Sequence, residues 1–181
     1  MSRKHLGYAA LVSLCIGAAA PGAIAAQQKA PKLNDAQIAH IAVTANSIDV
    51  EAGQLARERG KDERVRAFAN RMITDHTAVN EQAVALATRL GVTPEDNDVS
   101  RGLRKGAAAA SQSLERTSAT GFDRAYMTRE VDYHRAVLQA LDETLIPSAQ
   151  NAELKKLLEQ ARGAVAAHLT HAEELREALG S

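Results

Sequence analysis

The chain has 181 residues and a formal net charge of zero, with 45% hydrophobic but only 3% aromatic residues and no tryptophan. That length suits one domain with a sizeable core. The shortage of aromatic residues favours helices, because strands prefer aromatic and β-branched side chains. The balanced charge excludes an electrostatic case for binding nucleic acid or anionic lipid.

The N-terminus has the three parts of a secretory signal peptide. Arg3 and Lys4 form a basic start, residues 6–20 are mostly apolar and uncharged, and small residues follow as far as Ala25 and Ala26. The apolar run is short for a membrane span, and the small-residue ending favours cleavage after Ala25 or Ala26. We therefore expect a periplasmic or secreted mature protein without an integral membrane span.

Cleavage changes the charge and removes the only thiol. Residues 1–26, the predicted signal peptide, contain Arg3, Lys4 and Cys15, which is the only cysteine in the chain. Their loss leaves 20 basic and 22 acidic residues, and no cysteine for a disulfide or a thiolate metal site. The mature chain then divides into a flexible lead, residues 27–33, and one domain, residues 34–181.

Apolar residues of this domain recur at alternating spacings of three and four, the pattern of helices with a coiled-coil-like seam. A first helix begins at the N-cap candidates Asn34 and Asp35 and ends near Gly60. A second helix runs from about Asp62 to Gly91. The short connection at Gly60 predicts that these two helices pack antiparallel.

Residues 91–121 are small and polar, with only a weak helical period. A bare loop of about 30 residues is unusual in a compact domain, so we predict a loop and a lesser helix that crosses between two hairpins. A third helix opens at Gly121 and is ended by Pro147. A fourth helix runs from about Asn151 to Leu179.

Two helical hairpins joined by one long connection predict an all-α fold. We interpret it as a ferritin-like four-helix bundle with a long crossover between helices two and three. A simple up-down-up-down bundle is the alternative, since that topology would not need the crossover.

Histidines occupy core positions on the seams of three helices: His76, His134 and His168. A buried imidazole costs free energy unless it is hydrogen-bonded or binds a metal. Carboxylates flank the seams and can turn inwards, and these are Glu51, Asp75, Glu130 and Asp132. At about 1.5 Å of rise per residue, these side chains can share one layer in either topology.

This layer has two interpretations. Imidazoles and carboxylates without thiolates suit a transition metal ion such as zinc, copper or iron. The candidate metal ligands are His76, His134, His168, Glu51, Asp75 and Glu130. In the other interpretation the layer is only a polar core, in which Asp75, Glu51, Glu130 or Tyr133 satisfy the histidines and fix the helix register.

One missing motif is informative. Di-iron bundles carry Glu-x-x-His on two helices. The positions three residues before each mature histidine hold Gln37, Ile73, Val131, Val165 and His168, none of them acidic. This argues against a ferroxidase or di-iron oxygenase of the usual pattern. The sequence also lacks hydrolase and phosphate-loop signatures.

Short motifs on the predicted helices suggest a family. They are Glu51 with Leu55-Ala56, Phe68-Ala69 with Met72, Asp75-His76, Gly121-Phe122-Asp123 with Tyr126-Met127, His134 and His168. With these motifs, the chain from about Asp35 to Leu179 resembles the exported bacterial family called domain of unknown function 4142, which is grouped with ferritin-like bundles. The resemblance implies the fold and a periplasmic or envelope location, but no activity, because the family is largely uncharacterised.

Three functions fit these observations. We expect a non-catalytic periplasmic protein with a binding or envelope-stress role. The alternatives are a metal-binding protein that uses the seam histidines, and a redox enzyme, which the missing Glu-x-x-His motifs weaken. We expect no nucleic-acid partner. The chain is compatible with a homo-oligomer, and the sequence names no other partner.

Overall fold

The computed structural model describes residues 32–180, so the predicted signal peptide lies outside the described residues. These residues form an all-α bundle, as predicted. Its main helices are α1, Asp35–Arg59; α2, Glu63–Leu90; α3, Asp98–Arg116; α4, Phe122–Ala140; and α6, Ala152–Ala178. Between the last two, a π-helical turn, Leu141–Leu145, leads into the short α5, Ile146–Ser148.

Local chemistry explains where the first two long helices begin and end. The Asn34 side chain accepts from the backbone N–H of Gln37, and the Gln37 side chain accepts from the Asn34 N–H, which forms a capping box. Asp62 caps α2 in the same position. Gly91 ends α2 with φ +63°, a left-handed conformation that favours glycine. The predicted ends of these helices are therefore confirmed.

The third predicted helix, which is α4 in the structure, does not end at Pro147 as the sequence suggested. After Ala140 the helix widens, and the Ile146 N–H donates to the carbonyl of Leu141, five residues back. The helical path then continues to Ser148, one residue beyond Pro147. Proline has no N–H to donate. The wider turn changes the hydrogen-bond pattern just before Pro147, so Pro147 can be part of the helix although it donates no hydrogen bond.

The two turns between paired helices lie at opposite ends of the bundle. The backbone N–H groups of Lys61 and Asp62, between α1 and α2, donate to the carboxylate of Asp123 at the start of α4. At the other end, the N–H groups before α6 donate to the carboxylate of Asp35 at the start of α1. We call these two contacts the end clasps. They confirm the crossover topology over the up-down alternative.

Helix α3 is the crossover. It starts near the beginning of α1, where the Asn97 side chain donates to the carbonyl of Gln37. It ends beside the end of α1, where the Arg59 guanidinium donates to the carbonyls of Leu114 and Thr117. Helix α3 therefore runs the length of α1 on the outside of the bundle, and it covers one side of α1.

The core has two apolar clusters with a polar layer between them. One cluster lies towards the α1–α2 turn and includes Phe68, Met72 and Tyr126. The other lies towards the opposite end and includes Ile38 and Leu158. Within residues 32–180, no helix is long and apolar enough to cross a membrane.

Candidate metal centre

The three predicted seam histidines meet in the polar layer. His76 comes from α2, His134 from α4 and His168 from α6, and their exposed fractions are 5%, 1% and 5%. The ring centroids are 5.7 Å apart for His76 and His134, 5.2 Å for His76 and His168, and 5.6 Å for His134 and His168. One nitrogen of each ring lies within 4.8 Å of one nitrogen of each other ring.

Each imidazole is held from outside the cluster through one of its two nitrogens. Nδ1 of His76 is 2.7 Å from Oδ1 of Asn46. Nδ1 of His134 donates to the backbone carbonyl of Glu130, at 2.9 Å. Nε2 of His168 is 2.8 Å from Oδ2 of Asp75. These bonds fix the ring orientations and leave one nitrogen of each ring directed elsewhere.

The remaining nitrogens are buried and have no hydrogen-bond partner among residues 32–180: Nε2 of His76, Nε2 of His134 and Nδ1 of His168. A carbonyl can only accept, so Nδ1 of His134 carries the hydrogen and its Nε2 presents a lone pair. The same reasoning applies to His168, whose partner is a carboxylate. Two of the three nitrogens therefore present a lone pair, which is the form in which an imidazole can bind a metal ion.

Two fully buried carboxylates complete the layer. Oδ2 of Asp49 lies 3.0 Å from Nε2 of His76 and 3.8 Å from Nε2 of His134, without the alignment of a hydrogen bond. Oε2 of Glu130 lies 3.5 Å from Nδ1 of His134. Both oxygens are buried without a hydrogen-bond partner in the described part of the chain. Asp49, Glu130 and His134 form a second group of ligand atoms within 4.8 Å of one another.

A guanidinium binds the outer side of both carboxylates. Nη1 of Arg129 is 2.5 Å from Oδ1 of Asp49 and 2.5 Å from Oε1 of Glu130. The guanidinium carbon stacks 4.2 Å from the ring centre of Tyr133. The Tyr133 hydroxyl donates to the carbonyl of Ala45, at 2.8 Å. The ring and the guanidinium thus form a rigid support behind the carboxylates.

The histidines of α4 and α6 are neutral in the folded protein at pH 7. Burial lowers the pKa of His134 from 6.5 to about 4, against the opposing effect of Asp49. Burial also lowers the pKa of His168, and its hydrogen bond to Asp75 opposes this effect. A neutral imidazole is the form that binds a metal ion.

The two carboxylates differ in how readily they ionise. Burial raises the pKa of Glu130 well above its ordinary value, and the nearby charge of Asp49 adds to this effect. Burial also opposes the ionisation of Asp49, but His76, Arg129 and His134 together hold its pKa below the ordinary range. Asp49 is therefore more readily ionised than Glu130.

The predicted carboxylates occupy three different places. Glu130 is inside the layer. Asp75 is 43% exposed and contacts the cluster only through His168, so it supports a ligand rather than being one. Glu51 is exposed on the side of α1 that faces α3, and it lies outside the histidine cluster. Asp49, which the sequence did not single out, is fully buried on α1.

The layer holds two overlapping groups of donor atoms: His76, His134 and His168 form one, and Asp49, Glu130 and His134 form the other. Nitrogen and oxygen donors of this kind suit a first-row transition metal, and the cluster contains no soft sulfur ligand. Every histidine also has the outer hydrogen bond that supports metal-bound imidazoles in proteins. The layer therefore has the donor types and the outer hydrogen bonds that a metal site would need.

A comparison with known families agrees with the sequence motifs. A family model described as Domain of unknown function (DUF4142) matches residues 20–175. Among curated proteins and solved structures, no match to the chain was found.

Proposed function

The chain belongs to the family called domain of unknown function 4142, and because that description names no activity, we propose a function from the polar layer itself. The protein binds a first-row transition-metal ion inside the bundle. His76, His134 and His168 supply nitrogen ligands, and Asp49 and Glu130 supply oxygen ligands. This function is the metal-binding alternative that the sequence offered beside a non-catalytic binding or envelope-stress role.

One observation carries the proposal. Each of the three imidazoles uses one nitrogen for a bond that points away from the cluster, and the other nitrogen is buried without a hydrogen bond in residues 32–180. A buried polar atom without a partner costs about 1–3 kcal/mol. A core with only a structural role would leave several such atoms unsatisfied in one layer, and each would lower the stability of the fold. A cation bound between the imidazoles would give their three unpartnered nitrogens a partner.

The distances support the same conclusion. Ligands about 2.1 Å from a metal ion are separated from one another by roughly 3.0–3.4 Å. Oδ2 of Asp49 is 3.0 Å from Nε2 of His76 and 3.8 Å from Nε2 of His134. Oδ2 of Asp49 is thus at or near ligand spacing from both imidazole nitrogens.

The ligand types narrow the choice of ion. Imidazole suits zinc, copper, iron and nickel, and carboxylate oxygens favour harder ions. A mixture of three nitrogens and two oxygens therefore favours zinc(II), iron(II) or copper(II) over calcium and magnesium, which take oxygen ligands alone.

Metal titration of purified protein tests the proposal. The protein is stripped with a chelator and titrated with zinc(II) and cobalt(II) by calorimetry, beside His134→Ala and His171→Ala. His171 is a matched control, because it lies on α6 three residues after His168 but packs against Phe68, at a ring distance of 5.2 Å. We expect His134→Ala to weaken binding by roughly 100-fold or more, because even the outer partners of metal ligands contribute 10–100-fold.

The control distinguishes the centre from adventitious binding by surface histidines. His171→Ala should bind like the wild type. If neither ion binds the wild type, or if both variants weaken binding equally, the proposed centre is wrong.

Export is part of the proposed function. The basic start, apolar run and small-residue ending support secretion, so the ion would be bound outside the cytoplasm. Mass spectrometry of the protein isolated from its native cell envelope tests this point. We expect a mature chain that begins at Ala26 or Gln27, and a chain that retains Met1 would contradict export.

A further inference from the structure

Arg129 binds the two carboxylates inside the bundle, where a guanidinium is unusual. Its Nη1 contacts Oδ1 of Asp49 and Oε1 of Glu130, both at 2.5 Å. The side chain is only 12% exposed, and Tyr133 stacks against it. The guanidinium therefore sits inside the bundle, in contact with both carboxylates of the proposed metal centre.

Each carboxylate has one oxygen on Arg129 and the other free of hydrogen bonds in the described chain. The free oxygens are Oδ2 of Asp49 and Oε2 of Glu130. In bundles with two metal ions, paired carboxylates bind one cation with each oxygen. Here the outer oxygens bind a guanidinium instead. Arg129 thus fills the outer side of both carboxylates.

We propose that Arg129 is a permanent second cation that limits this centre to a single metal ion. The inference rests on the proposed metal-binding function. A guanidinium keeps its charge at every physiological pH, so it cannot be displaced by a change in protonation. It also repels a second cation at close range, and this repulsion is strong where water is excluded.

The charges of the layer support a single ion. Arg129 contributes one positive charge against at most two negative charges from Asp49 and Glu130. One divalent ion leaves an excess of one positive charge, whereas two divalent ions would leave an excess of three in a buried site. Without Arg129, two divalent ions would leave an excess of two positive charges instead of three.

The grouping of the ligand atoms also supports a single bound ion. The three histidines form one group, and Asp49, Glu130 and His134 form the other. The two groups share His134, so a second ion would have no histidine of its own. It would depend on the carboxylates, and their outer oxygens are held by Arg129.

Native mass spectrometry with cobalt(II) tests the inference by counting ions per chain. We expect one ion in the wild type at saturating cobalt. In Arg129→Gln the outer oxygens are released, and we expect two ions. Arg129→Lys retains a positive charge and should remain at one ion. Arg135→Gln, on the exposed side of α4 and paired with Glu173, is a matched control and should also remain at one ion.

The outcomes separate the two proposals. A wild type without cobalt refutes the metal-binding function, and the role of Arg129 falls with it. A wild type that binds two ions leaves metal binding intact and overturns the inference. A folded Arg129→Gln variant with a single ion also overturns it. If that variant does not fold, as circular dichroism would show, the wild-type count decides between one ion and two.

Discussion

Acid sensitivity of the metal-free protein follows from the burial of His134. In the unfolded chain this side chain takes up a proton below its ordinary pKa of 6.5, whereas in the folded protein its pKa is about 4. Between these two values the unfolded chain binds more protons. Acid therefore favours unfolding, and the stability contributed by neutral His134 is lost as the pH falls from 6.5 to 4.

The size of this effect follows from the two pKa values. One pKa unit corresponds to about 1.4 kcal/mol, so the difference predicts a loss of about 3 kcal/mol across this range. His134→Asn removes the titrating group and should remove this part of the pH dependence. Glu130 titrates in both proteins, so its contribution largely cancels when the two profiles are subtracted.

Urea denaturation with a chelator present, at pH 7.5 and pH 4, measures the effect. The free energy of unfolding should fall by about 3 kcal/mol more in the wild type than in His134→Asn. Parallel profiles that agree within about 1 kcal/mol would refute the reasoning, because they would mean that His134 titrates in the folded protein much as it does in the unfolded chain.

Three further predictions concern the supports and the packing of the layer. Asp75→Asn weakens the orientation of His168, so we expect metal affinity to fall by roughly 10–100-fold in a calorimetric titration with little change in stability; an unchanged affinity would contradict the supporting role. Gly53→Ala would place a Cβ 3.0 Å from the Ala69 carbonyl oxygen and 3.0 Å from an Ile73 side-chain carbon, so it should destabilise the bundle by about 1–3 kcal/mol in urea, and a neutral result would contradict the close packing of α1 on α2. Zinc at 100 times its dissociation constant should stabilise the wild type by about 2.7 kcal/mol in thermal unfolding, and a Tm that does not respond to zinc would contradict binding to the folded state.

The helix ends and the pairing of helices were predictable because they depend on local chemistry. Asn34 and Asp62 accept hydrogen bonds from the next turn, and Gly91 adopts a left-handed conformation. These effects act within a few residues, so they can be recognised without knowing the fold. The exception was Pro147, because the wider turn before it depends on hydrogen bonds that residue type alone does not specify.

The choice of carboxylate ligand could not be predicted in the same way. Asp49 and Glu51 are two positions apart on α1, which is about 200° around the helix, so only one of them can face the histidines. The seam pattern of α1 was compatible with a rotation that turned either residue inwards. The packing of α3 on one side of α1 decides which residue turns inwards, since Glu51 faces α3 and Asp49 faces the core.

The end clasps have a consequence for how a ligand is gained. Each turn of one hairpin is tied to an aspartate of the other hairpin, Asp123 at one end and Asp35 at the opposite end. The relative height of the two hairpins is thus fixed by contacts that do not involve the polar layer. If an ion binds as proposed, only side chains need to be ordered, so little of the binding free energy is consumed in assembling the protein.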